Sequence, residues 1–271
     1  MYSAQAGALL KTDPKEALVK ARESVRIKEG LYKKKKTLDN LDTLSFSYNF
    51  MGNIYSKLDN APMAEHFYRK AVEGIDILYE RWGMIEVLHY VPEVYYNIGE
   101  LLVNKRDNDD EAIYYFKKSI DVQDELFANT GDQTILENLS WQYAELCSGL
   151  RHTKRFEEAE IYYKRYIKLI ENIYASEPTN EYAEKINDAY YELSYIEASK
   201  NPPDPKVLLD FNIKRLPYIK KLADETGEEK HIESLATTYI MMSMCYSGIG
   251  KPAEAAEYER KHNEELKKIE G

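Results

Sequence analysis

Five histidines, at positions 66, 89, 152, 231 and 262, stand apart from one another in the 271-residue sequence. None has a second histidine four residues on or a cysteine pair beside it, the spacings by which a helix or knuckle holds zinc. The two cysteines, Cys147 and Cys245, lie 98 residues apart. They read as small buried hydrophobes in a reducing compartment rather than as a disulfide. Ser247-Gly248-Ile249-Gly250-Lys251 has the residue types of a phosphate loop but lacks the G-x-x-x-x-G-K-[ST] spacing, and it fits a turn between helices better. No nucleophile stands with a base and an orienting group. The chain is therefore expected not to be an enzyme and to need neither metal nor cofactor. The chemistry in prospect is recognition, carried by 24 tyrosines with carboxylates and carboxamides among them.

Those residues are set by a pattern that returns at a nearly fixed interval. Tyr48-x-x-Met51-Gly52-x-x-Tyr55 is followed by Ala64-x-x-x-Tyr68-x-x-Ala71. Tyr95-x-x-Ile98-Gly99-x-x-Leu102 is followed by Ala112-x-x-x-Phe116-x-x-Ser119. Gly52 to Gly99 is 47 residues and Ala64 to Ala112 is 48. A third copy runs from Tyr143 through Leu146-Cys147 to Ala159 and Tyr163, and a worn fourth has Tyr190, Leu193-Ser194, Val207 and Phe211. The fifth has Tyr239, Met242-Ser243, Tyr246 and Ala255. Counting back from Ala64 reaches Ala17-x-x-x-Ala21-x-x-Ser24, with Tyr2, Ala6 and Leu9 as a short half before it. A period of this size means stacked supersecondary units. The expected units are 1–36 (partial), 37–83, 84–131, 132–178, 179–227 and 228–271, in one domain.

This pattern resembles the tetratricopeptide-repeat (TPR) family, whose signature is W-x-x-L-G-x-x-Y followed by A-x-x-x-F. The resemblance covers nearly the whole chain. It departs in its ~47-residue period against the family's ~34, and in the tyrosine standing for tryptophan. The extra ~13 residues amount to roughly 20 Å of helix, as in a long-helix bacterial variety of the family. The resemblance implies an all-α, right-handed superhelical solenoid of antiparallel helix pairs. It implies in turn a non-catalytic scaffold that binds protein or peptide in its concave groove, as the recognition or regulatory part of a larger protein. A ligand-responsive sensor controlling an attached effector domain, or a self-association module, is the alternative.

Independently of the family, Gly52, Gly99, Cys147, Ser194 and Ser243 share one slot and are all small, which lets a partner helix come close. Asp13-Pro14 opens a helix. Asn60-Ala61-Pro62, the Asn201–Pro205 stretch and Gly250-Lys251-Pro252 mark turns inside units, while Thr130-Gly131, Glu177-Pro178 and Thr226-Gly227 mark turns between them. About twelve helices are expected. The net charge of −10 argues against nucleic acid or an anionic membrane as partner. Lys33 to Lys36 read as a solvated helix end. No stretch approaches the ~20 apolar residues of a membrane span, and 4–10 is too short for a signal core, so a cytoplasmic location is expected. The last helix is polar, as a terminal cap would be. Met1 opens on an incomplete unit, so the chain is expected to be a C-terminal part of a longer protein.

In the family the first helices of each unit line the groove. That register implies a contact surface of Asn49, Asn53, Glu93, Tyr96, Asn97, Glu100, Trp141, Glu145, Tyr191, Glu192 and Tyr195, flanked by Phe46, Phe50, Asn104, Asp188 and Met244. Asn53 and Asn97 stand where relatives use carboxamides to donate to and accept from a ligand backbone; bonding to helix carbonyls or water is their structural role otherwise. The cations of the relatives' carboxylate clamp are missing, since Asn49, Trp141 and Glu145 hold those slots. An acidic, aromatic groove should prefer a basic or amphipathic segment.

Overall fold

The computed structural model describes residues 9–10, 12–83, 89–105, 109–132 and 134–269. These hold eleven α-helices: α1 (Pro14–Lys34), α2 (Leu38–Lys57), α3 (Ala61–Ile75), α4 (Val91–Lys105), α5 (Asp109–Thr130), α6 (Thr134–His152), α7 (Phe156–Ser176), α8 (Asn180–Ala198), α9 (Pro205–Thr226), α10 (Glu229–Gly248) and α11 (Pro252–Leu266). The half-helix expected around Tyr2 and Ala6 lies outside the described residues. The fold is all-α, built from antiparallel helix pairs. Contacts divide it into two units, Met1–Leu146 and Cys147–Gly271.

In the first unit the repeat motif is where helices touch. A Cβ at Gly52 on α2 would stand 2.3 Å from the Tyr68 ring of α3, and one at Gly99 on α4 would stand 2.9 Å from the Phe116 ring of α5. Each small residue is thus the hole for its unit's second-helix aromatic. Ala64 and Ala112 are fully buried beside them. Helix ends follow the expected caps: the Asp13 side chain accepts from the Lys15 and Glu16 amides, and Asn60 accepts from the Met63 amide. Past its end, α3 widens into a π-helical stretch, Asp76–Arg81.

In the second unit Ala183, Ile219, Leu222, Leu235 and Tyr239 form one core cluster, and Leu209, Met242 and Cys245 another. Both cysteines are buried and unbridged, with burial pushing the thiols up. The Ser247–Lys251 stretch comprises the last residues of α10 and the α10–α11 turn, closed by the Lys251 amide on the Tyr246 carbonyl at 2.9 Å. The same bond links Asn60 to Tyr55 and Arg155 to Leu150, each at 2.9 Å. One turn type therefore serves three pairs, with Asp59, Lys154 and Gly250 in the left-handed region at φ 53°, 58° and 76°.

Candidate functional site

On the first unit, α2 and α4 carry a connected set of carboxamides. The Asn97 Nδ2 donates to the Asn49 Oδ1 at 3.1 Å and to the Asn53 Oδ1 at 3.0 Å. The Asn49 and Asn53 amides both donate to one Glu93 oxygen at 3.2 Å. From α3 the Tyr68 hydroxyl donates to the Asn53 Oδ1 at 2.9 Å. Asn49 is only 2% exposed. Asn97 sits about one repeat on from Asn49 and Asn53 and faces both, so the set ties α2, α3 and α4 together. A peptide backbone reaching Asn53 or Asn97 competes with these bonds.

Beside this web α4, α5 and α6 enclose a cavity of about 490 Å³ that brings together Glu93, Tyr96 and Trp141 with Gln123, Leu126, Ile135 and Gln142. Trp141 is 59% exposed. Tyr96 leans on Phe116, with ring centroids 5.7 Å apart. Burial pushes its hydroxyl up to about 12, with Glu100 and Glu145 adding to the effect. Glu145 is itself held above the ordinary carboxylate range, first by burial and then by Glu100. Gln123 is 5% exposed, and its side-chain oxygen has no hydrogen-bond donor. An enclosed unpaired acceptor is costly, and this one belongs to a residue of the cavity wall.

The second unit spreads the remaining expected residues. The Glu192 carboxylate pairs with Arg151 at 3.1 Å. Burial raises its pKa, and Arg151 pulls the other way. Tyr195 is exposed and meets Phe156 edge-on at 6.5 Å. Tyr191 lines a cavity of about 320 Å³ shared with Asp188, Arg215, Lys230, Glu233, Ser234 and Thr237. The Arg215 guanidinium lies 4.9 Å from the centre of the Tyr191 ring. Its pKa is lowered to about 10 by burial, against the pull of Asp188. The Asn104 side chain lies outside the described residues.

Gln123 and Arg215 escape a reading confined to first helices, because both stand on second helices. A signal exists all the same. Each is a polar residue on an otherwise apolar stripe, Gln123 after Ala112, Phe116 and Ile120, and Arg215 between Phe211 and Ile219.

Among the described residues no group of three or more His, Cys, Asp or Glu could hold a metal ion. No described helix is long and apolar enough to cross a membrane. The helix pairs, with a small residue on one facing an aromatic on the next, define an all-α repeat protein. The tetratricopeptide-repeat profile matches residues 47–73, from the second half of α2 through most of α3, and the chain has the fold of that family.

No curated protein sequence matches the chain. Among solved structures, a signal-transduction ATPase with numerous domains, from Pyrococcus horikoshii and with a tetratricopeptide-repeat sensor, is 15% identical. The match covers 97% of this chain and 36% of that one, with a TM-score of 0.50. BtubC from P. vanneervenii is 16% identical over 96% of this chain and 93% of its own, at a TM-score of 0.47. YrrB, described as a TPR protein with an unusual peptide-binding site, is 16% identical over 88% and 91%, at 0.45. These likenesses are of fold.

Proposed function

We propose that the chain is a non-catalytic recognition module that takes a basic or amphipathic peptide segment of a partner protein against α4, α5 and α6. The observation that carries this reading is the cavity joining Glu93, Tyr96 and Trp141 to the unpaired Gln123 oxygen. A cationic side chain finds a carboxylate and two aromatic faces there, and a backbone N–H finds Gln123. Asn49 and Asn53 hold Glu93 in place and Asn97 braces both asparagines, while Glu100 and Glu145 deepen the negative field.

The test uses a Trp82→Phe background, leaving Trp141 as the sole tryptophan. Lysine-bearing amphipathic peptides are titrated against its emission. Saturable quenching that weakens at least tenfold in Tyr96→Ala, with helicity unchanged, supports the reading. Equal affinity in the variant removes the assignment to this groove.

A second reading is a ligand-responsive sensor within a larger signalling protein. It draws on the likeness to the repeat sensor of the Pyrococcus ATPase, of which this chain spans about a third. A sensor should change its radius of gyration in small-angle scattering when the peptide is added, and a passive scaffold should not. Tyr191, Glu192 and Tyr195 belong, on either reading, to a further contact surface on the second unit. Pairing between copies of the chain remains a third use of its faces, checked by its mass in solution at high concentration.

A further inference from the structure

We propose that the second unit carries a receptor for a free α-amino acid, in the cavity lined by Arg215, Asp188, Tyr191, Lys230, Glu233 and Thr237. This goes beyond the groove of α4, α5 and α6 and depends on none of the residues lining it; only Tyr191 is shared with the further contact surface on the second unit. Arg215 lies in the apolar row of α9 and is 2% exposed. Its Nε donates to the Asn187 Oδ1 at 2.7 Å and its Nη2 to the Ser234 Oγ at 2.6 Å. Both acceptors are neutral. The remaining terminal nitrogen, Nη1, is enclosed and has no acceptor. An enclosed cation without a hydrogen-bonded anion is an unfinished site, because the buried charge lacks its compensating oxygen.

The other charges lining the cavity say what kind of anion would complete it. Asp188 takes a bond from the Asn187 Nδ2 at 2.9 Å, so Asn187 stands between it and Arg215. Lys230 is tied to Glu184 at 2.6 Å. Asp188 and Glu233 are exposed. Two cations and two carboxylates thus line a cavity of about 320 Å³. A phosphate dianion would be repelled by Asp188 and Glu233. A lone cation would meet Arg215. A ligand bearing a carboxylate and an ammonium side by side satisfies both: its carboxylate accepts from the Arg215 Nη1, and its ammonium donates to Asp188 or Glu233. Tyr191, stacked on the guanidinium, supplies an apolar wall for a side chain.

The side-chain Nε–H resonance of Arg215 in the full chain is the reporter. The twenty common amino acids are added singly, each beside its N-acetyl form, with inorganic phosphate as the anion control. At least one free amino acid should shift the signal saturably, its N-acetyl form binding at least tenfold more weakly and phosphate not at all. Arg215→Gln should abolish binding, followed through the amides around Thr237. Thr237 is exposed, so Thr237→Trp should block the cavity from outside and abolish binding without unfolding α10. Should none of the twenty shift the signal, or should binding survive in Thr237→Trp, the site is overturned. Equal binding of the N-acetyl form overturns the amino-acid assignment in favour of a peptide C-terminus, and equal binding of phosphate overturns it in favour of an unspecific anion site.

Discussion

Gly52→Ala sets a Cβ against the Tyr68 ring at 2.3 Å. The ring is buried, at 4% exposure, so relaxing the contact requires α3 or the ring's neighbours to move. The expected cost is about 1–3 kcal/mol, read as a fall in the unfolding midpoint, and Gly99→Leu should cost as much against Phe116. A second rule lies in the tyrosines. Tyr95 donates to Asp76, Tyr143 to Asp124 and Tyr190 to Glu171, at 2.9, 3.0 and 3.0 Å, and Tyr48 to Glu29 at 2.7 Å. The carboxylate stands 19 residues before the tyrosine each time. A tryptophan would bury more area but bring its donor at another place, which gives a physical reason for tyrosine at the first signature position. Tyr239 has Lys220 at that offset. Tyr95→Phe should therefore lower stability by about 1 kcal/mol, and Tyr239→Phe by less, in parallel denaturant titrations. The small slots and the aromatics facing them were legible in the sequence, because packing demands a size at a period. The bonds among Asn49, Asn53, Asn97 and Glu93 were not, since each partner is 40 or more residues away and only the helix register pairs them.

At the scale of elements, the chain spaces its helices with one turn used three times. Glycine takes the left-handed position at Gly250, whereas Asp59 and Lys154 hold it elsewhere with a Cβ in a region that disfavours one. Lys154→Gly and Asp59→Gly should each stabilise the fold by about 0.5–1 kcal/mol, once the added freedom of the unfolded chain is deducted. Thermal unfolding of the two variants checks this; a loss of stability at either would mean that the side chain contributes to the turn. Prolines and glycines showed where helices end, and α2, α3, α9 and α11 begin or stop where the sequence places them. The π-helical widening after α3 had no such signal. Neither did the ties between second helices, such as Arg69 of α3 to Glu111 of α5 at 2.6 Å, which need both helices in place before the pair can be recognised.

For the molecule as a whole, the net charge of −10 favours encounter with cationic partners, and salt should slow it by screening the exposed charges. Glu145 gives the pH dependence a definite sign. Its carboxylate is raised in the folded state by burial and by Glu100. Protonating it as the pH falls through that raised value relieves the fold, and ionising it as the pH rises takes that stability away. A cationic peptide needs it ionised, so affinity should fall over the same acid range in which the fold gains from this group. Titrations with one peptide at several pH values would show the two trends diverging; parallel trends would remove Glu145 from the binding surface. The most direct test of the central claim is an array of peptides with matched basic, neutral and acidic versions, probed with the full chain and with a Glu93→Gln/Tyr96→Ala variant of unchanged helicity. Basic amphipathic peptides should be retained by the native chain and lost by the variant. Retention of the acidic set, or equal retention by both proteins, would contradict that claim.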